Sequence, residues 1–362
     1  MAGAPITIDS KLQITDDNTT VDGDIGSDGK PDIIIIAGQT GINGFHILNS
    51  SNNVIRGFNL RLFSDGTTDP SPAPIKIEGA TSTGNIIVTN YIGTNLNGDN
   101  VTGTGNYRGI RIDSEASNNK IGDGTITGIN LISGNQITGI QIVGPNTNGN
   151  QIAGNIIGLD ISGSLDFGNG TNGIEVINST GTIIGAPGDG RNLISGNNQM
   201  GIVLNNASNS VIINNYIGTN INGDVPVGNS LEGLRLENGS TGTQIGDGSA
   251  AGRNIISGNS QSGIEINNSN DNTLIGNYIG LTANGISDLG NTNDGIFISG
   301  TSTNNTIGSS GQGNVISGNN GRGITIAGDA NFVYGKLHRR SVWRQWPCGQ
   351  YHCGYCGHRK QQ

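Results

Sequence analysis

Short runs of β-branched residues with a period of two recur along the chain from Pro5 to Ile326, each bounded by Gly, Asn, Asp or Ser. This pattern predicts strands of a few residues. No stretch shows the 3.6-residue periodicity of an amphipathic helix. The runs are copies of one another. Asn130-Leu-Ile-Ser-Gly-Asn135 returns at Asn192, Asn254 and Asn314, with intervals of 62, 62 and 60 residues. A second motif, Asn-Tyr-Ile-Gly or Asn-Ile-Ile-Gly, starts at Asn90, Asn155, Asn215 and Asn277. Between them lie Gly-Ile-x-Ile segments or close variants at Gly109, Gly139, Gly173, Gly201, Gly233, Gly263, Gly295 and Gly323. Each superrepeat thus holds two coils, one of about 22 residues and one of about 39. The longer coil carries two loops, read at Thr219 to Leu231 and Gly246 to Arg253.

Strands this short cannot each bury a face alone, so each must stack on the next copy. In Gly263-Ile264-Glu265-Ile266, alternation turns Ile264 and Ile266 inward and Glu265 toward solvent. Stacked coils then build isoleucine ladders inside, and the repeated asparagines tie successive corners through amide ladders.

Composition agrees. The 362 residues include 63 Gly and 51 Asn, residues that are poor helix formers, which excludes a helical bundle. The longest apolar run, Ile33 to Ala37, is far short of the ~20 residues that span a bilayer. A net charge of −9 argues against a nucleic-acid partner. The first residues, Met-Ala-Gly-Ala-Pro-Ile-Thr-Ile-Asp, lack the basic and apolar regions of a signal peptide.

The Asn-x-Ile-x-x-Asn…Gly-Ile-x-Ile…Asn-x-Ile pattern over about residues 30 to 335 resembles the right-handed parallel β-helix repeat proteins of the pectin-lyase-like superfamily. It looks like the CASH repeat of carbohydrate-binding proteins and sugar hydrolases. The resemblance implies an all-β, right-handed parallel β-helix of about ten to twelve coils. It also implies a polysaccharide or cell-surface glycan as partner and an extracellular or cell-surface location. The scaffold carries lyases, hydrolases and epimerases as well as adhesins, so fold alone does not choose among them.

Enzyme signatures of that superfamily are absent. There is no Asn-Thr-Asp, Gly-His-Gly or Arg-Ile-Lys, and Asp69-Pro70 continues as Ser-Pro rather than as the epimerase Asp-Pro-His-Asp. One histidine, His46, lies in the repeat body. The outward positions of Gly-Ile-x-Ile read Arg111, Gln141, Glu175, Val203, Arg235, Glu265, Phe297 and Thr325. Glu175 and Glu265 fall three coils apart, about 14 Å, too far to act as a carboxylate pair. Arg235, Glu237, Glu265 and Phe297 form the candidate ligand-binding patch, which otherwise reads as a solvated ion cluster. The Gly-Asp-Gly triplets at Gly122, Gly188 and Gly246 read as turns, and no metal or cofactor is expected. Two functions stand open: a non-catalytic repeat scaffold or adhesin-like segment, and a polysaccharide-active lyase, hydrolase or epimerase. A groove with converging charged residues would favour the enzyme, and smooth ladders the scaffold.

Residues 1–335 read as one β-helix domain, and the composition changes at Lys336. The last 27 residues hold all three Cys, both Trp and no acidic residue. Cys348, His352, Cys353, Cys356 and His358 could be arranged as a zinc knuckle. A frameshift explains more. Read one base further along, Lys336 to Arg339 can yield Asn-Tyr-Ile-Gly, both tryptophans must yield Gly, and the text matches Asn215 to Leu234 in register. A basic tail is the third reading. No cap precedes the first strand or follows Ile326, so a piece of a longer exported protein is expected, with end-to-end self-association.

Overall fold

The computed structural model describes residues 4–66, 69, 71–125 and 127–334. The described chain forms three parallel sheets of eleven strands each, and every coil contributes one strand in turn to sheets A, B and C. This is the right-handed parallel β-helix that the resemblance implied, built from the stacked coils that the repeats predicted, eleven in all. Connections of this kind between parallel strands are right-handed for the same reason that strands twist. The frameshift, zinc and basic-tail readings of 336–362 lie outside the described residues.

Strands stay in strict register, so identical side chains stack. On sheet B the inward row runs Ile75, Ile110, Ile140, Ile174, Ile202, Leu234, Ile264 and Ile296. Every one of these is fully buried. Such stacking closes the core with branched aliphatics alone, which is why so few rings are needed.

The asparagines do more than tie corners; they are sealed inside. Before sheet A, Asn90, Asn130, Asn155, Asn192, Asn215, Asn254, Asn277 and Asn314 form one unbroken ladder in which each amide donates to the next carbonyl oxygen at 2.8–3.2 Å. Before sheet B, Asn106, Asn135, Asn169, Asn197, Asn229, Asn259, Asn291 and Asn319 do the same at 2.8–2.9 Å. Each carboxamide also serves backbone groups that the tight corner leaves unpaired. Asn215, for example, donates to the Ile184 and Ile213 carbonyls. Buried corners without these amides would strand polar groups away from water.

The third ladder is interrupted. Asn53, Asn85, Asn119 and Asn150 link up, as do Asn272, Asn305 and Asn331. The coils between carry Thr182, Ser210 and Thr243 at that corner, and the Ser210 and Thr243 hydroxyls are buried without a hydrogen-bond partner. Replacing all three by Asn should therefore stabilise the protein, by about 1 kcal/mol per restored amide link. A higher denaturant midpoint is the expected outcome, and a lower one would show that the corner cannot accept the larger side chain.

The repeat motifs acquire physical roles. In Asn-x-Ile-Ser-Gly-Asn the serine is internal: Ser133, Ser195 and Ser257 donate to the carbonyls of Leu159, Thr219 and Leu281 in the following coil. Each accepts in return from the backbone N–H of Gly158, Gly218 or Gly280, the glycine that ends Asn-x-Ile-Gly. The long coils carry their first loop between sheets A and B, closed by the bridges Leu159–Asp166, Thr219–Pro226 and Leu281–Asp288. These loops fold over the outer face of sheet A and touch each other, Ile221 N–H donating to Gly163 O and Ala283 N–H to Gly223 O. The roof covers an apolar outer row that includes Tyr91, Leu131, Ile156 and Leu193.

Candidate functional site

Among the described residues, most of the ion pairs gather on the outer face of sheet B, while sheet C carries one, Arg56–Asp22, on its first coils. In register the outer row of sheet B reads Gln13, His46, Lys76, Arg111, Gln141, Glu175, Val203, Arg235, Glu265, Phe297 and Thr325. The predicted outward positions from Arg111 to Thr325 are all in this row. The expectation that Glu265 meets solvent needs correcting: it points outward yet is only 8% exposed, as neighbouring coils at β spacing cover it.

The structure places the four residues of the predicted patch on one stretch of the face and adds a fifth. Arg235 Nε lies 2.9 Å from Glu237 Oε2, and Arg235 Nη1 lies 3.6 Å from Glu265 Oε2. Phe297 stands in register one coil beyond Glu265. Glu232, in the turn before the strand Leu234–Glu237, brings a third carboxyl within 4.0 Å of Arg235 Nη1. The cluster is therefore half-buried and shared, rather than a solvated pair. Glu232 is missing from the sequence reading because it falls outside the Gly-Ile-x-Ile frame, one residue before its glycine.

Burial raises the Glu232 pKa above the ordinary glutamate value, and the adjoining Glu265 carboxyl adds to the rise against the pull of a backbone hydrogen bond and Arg235. A carboxyl whose pKa is higher folded than unfolded favours folding at acid pH, and that contribution is lost as pH rises through the folded-state value. Glu232→Gln removes this dependence. Melting curves should show the variant gaining on the parent protein as pH rises above the glutamate range. A difference that is flat with pH, or that grows on acidification, would contradict this assignment.

A second cluster lies at the N-terminal end of the same face, where only His46 and a broken Asp69-Pro70 motif stand out in the sequence. His46 Nε2 is 2.9 Å from Glu78 Oε2. Lys76 Nζ lies 3.1 Å from Glu78, 3.3 Å from Asp69 and 3.9 Å from Asp113. Arg111 Nε meets Asp113 at 2.5 Å, and its Nη1 donates to Gln141, which in turn donates to Glu175 at 2.7 Å. Asp69 arrives from the loop after Phe58–Arg61 and is held by the Asn43 amide at 2.8 Å. A path of hydrogen bonds and ion pairs thus crosses the face from His46 to Glu175. The signal was present in Gly44-Phe-His-Ile and Pro74-Ile-Lys-Ile, which keep the alternation but depart from Gly-Ile-x-Ile.

Burial, and then the charge of Lys11, hold the His46 imidazole below its usual pKa despite Glu78. Burial works to raise Asp69, but the hydrogen bonds from Asn43 and the Ser71 N–H, with Lys76, outweigh it and lower the pKa. Glu78 ends below its usual value in the same way, its burial overcome by Lys76 and His46. The arrangement holds charged carboxylates on a charged lysine beside a neutral histidine. It can offer both donors and acceptors to a polar ligand on the face. Among the described residues no group of metal-ligating side chains comes together, and no helix is long and apolar enough to cross a membrane.

No family model matches the chain and no curated protein matches it. Among solved structures it is similar to the A-module of the Azotobacter vinelandii mannuronan C-5 epimerase AlgE4, at 14% identity over 91% of both chains with a TM-score of 0.49. It is also similar to the Dettilon tailspike protein, at 17% identity over 90% of this chain and 60% of that one, TM-score 0.47. A third is the DFA-IIIase of Arthrobacter chlorophenolicus A6, at 14% identity over 85% and 78%, TM-score 0.40. Identities this low carry no chemistry across, and the architecture stands on the strand register.

Proposed function

We propose that this chain is an extracellular or cell-surface polysaccharide-binding β-helix whose ligand lies along the outer face of sheet B. The observation that carries the reading is the contrast between faces. Sheet A's outer row is apolar and roofed by loops. Sheet C's outer row is mostly aliphatic and uncharged polar residues around Lys120, with a single ion pair, Arg56–Asp22, on its first coils. Sheet B's row strings amides, ion pairs and one aromatic ring at coil spacing, an array suited to successive hydroxyls of an extended glycan. The test is gel retardation with polygalacturonate, alginate, xylan and dextran. Gln141→Ala with Phe297→Ala on sheet B should abolish retardation, while Gln151→Ala with Gln244→Ala on sheet C should leave it unchanged. Retardation by none of these polymers, or its loss only on sheet C, would refute the proposal.

A second reading, polysaccharide cleavage, is favoured by Glu232 beside Glu265. A carboxyl whose pKa burial raises, adjoining a second carboxyl, is an arrangement that acid–base catalysis can use. Release of reducing ends or of unsaturated uronates by the parent protein, lost in Glu265→Gln, would support it. Equal release by that variant would remove the pair from consideration.

A further inference from the structure

We propose that Arg108 is an anion anchor on this face, taking a carboxylate or sulfate group of an acidic polysaccharide. The inference rests on the reading that sheet B holds a glycan and narrows it to charged ones. Arg108 directly precedes Gly109 and so stands at the edge of sheet B, three residues before Arg111 in the outer row.

Its neighbours on the face are all neutralised. Lys76 touches three carboxylates, Arg111 is paired with Asp113 and Gln141, and Arg235 gathers Glu232, Glu237 and Glu265. Arg108 makes no ion pair among the described residues, and its Nε and Nη1 are turned from water without a hydrogen-bond partner. The Tyr107 ring lies 4.7 Å from the guanidinium carbon and braces it in one orientation. Glu175, an acid that attracts it from a distance, is engaged by the Gln141 amide at 2.7 Å. Burial, and then repulsion from Arg111, pull the Arg108 pKa below the ordinary arginine value.

A guanidinium that is partly desolvated, unpaired and crowded by a second cation carries an electrostatic cost that an anion would offset. Its planar fork suits the two oxygens of a carboxylate or of a sulfate ester. Arg111, whose charge Arg108 feels, and Gln141, in register with Arg111, stand on the same face to receive hydroxyls of the same sugar.

The experiment titrates the full chain with polygalacturonate, dextran sulfate and neutral dextran at low and physiological salt. Parent protein is compared with Arg108→Gln and Arg108→Lys. The parent should bind at least one acidic polymer more tightly than dextran, and whether that polymer carries carboxylates or sulfates identifies the group. Arg108→Gln should weaken acidic binding about tenfold or more and flatten its salt dependence. It should leave dextran binding, if any, unchanged and should hold or raise the melting temperature, since the cost of the unpaired charge is relieved. Arg108→Lys keeps the charge without the fork and should fall between. Acidic binding unaltered in both variants would overturn the anchor and leave the sheet-B reading standing. Binding of no polymer by the parent would overturn both. Should Arg108→Gln fail to fold, Arg108→Lys decides, and parental affinity in it would refute the bidentate contact.

Discussion

Replacing Asn215 by Ala should destabilise the protein by about 3–4 kcal/mol, a loss expected only for a handful of buried polar positions. Its amide donates to Asn254 Oδ1 at 3.0 Å and to the Ile184 and Ile213 carbonyls at 2.9 Å each. Its carbonyl oxygen accepts from Asn192 at 2.9 Å. Alanine removes all four bonds and leaves buried partners that water cannot reach. Aspartate would be as harmful, since it supplies a charge and no donor. The exposed Asn222 is the control, and Asn222→Ala should stay within about 0.5 kcal/mol of the parent. Denaturant melts of the two variants measure the difference. Because coils contact chiefly their neighbours, the Asn215→Ala transition should also broaden. Equal midpoints would mean the ladder contributes nothing.

Gly218→Ala is the second severe case. Gly218 has φ of +90°, and a Cβ there would collide with the Ser257 carbonyl and the Asn259 side chain of the next coil. Backbone strain and the clash act together, and neither can relax without breaking the Ser195–Gly218 hydrogen bond. A loss of about 3 kcal/mol or more is expected, or failure to fold. Gly103 provides the comparison: its φ is +67°, but nothing lies within 4 Å of the added carbon. Gly103→Ala should cost only the left-handed penalty of about 1–2 kcal/mol. Soluble yield and melting temperature separate the two outcomes, and similar losses at both sites would show that the close approach is unimportant.

These two residues also show how far the sequence could be read. The spacing of Asn215, Gly218 and Ile217 in one motif, repeated every superrepeat, was enough to place strands, coils and loops, because a stacked fold writes its register into the chain. The long loop at Thr219 appears where the interval lengthens. What the repeat could not show was burial. Alternation says which way Glu265 points, but not that Arg235 and Phe297 close over it. The patch of Arg235, Glu237, Glu265 and Phe297 was legible since all four sit in repeated strands. Glu232 was not, because it lies in a turn. The His46–Lys76–Asp113 cluster was hidden for a different reason. Its first coils have lost the Gly-Ile-x-Ile spelling, and Asp69 reaches Lys76 from a loop whose path no repeat encodes.

The claim that sheet B is the working face is tested most directly by carboxylate footprinting. The protein, alone and with a polysaccharide that retards it, would be labelled with a carbodiimide and amine, and modification would be mapped by mass spectrometry. The account predicts that the bound polymer protects Glu175 and Glu78 on sheet B, while Asp247 and Asp271, away from that face, label as before. Protection of Asp247 or Asp271 with Glu175 and Glu78 unchanged would contradict it.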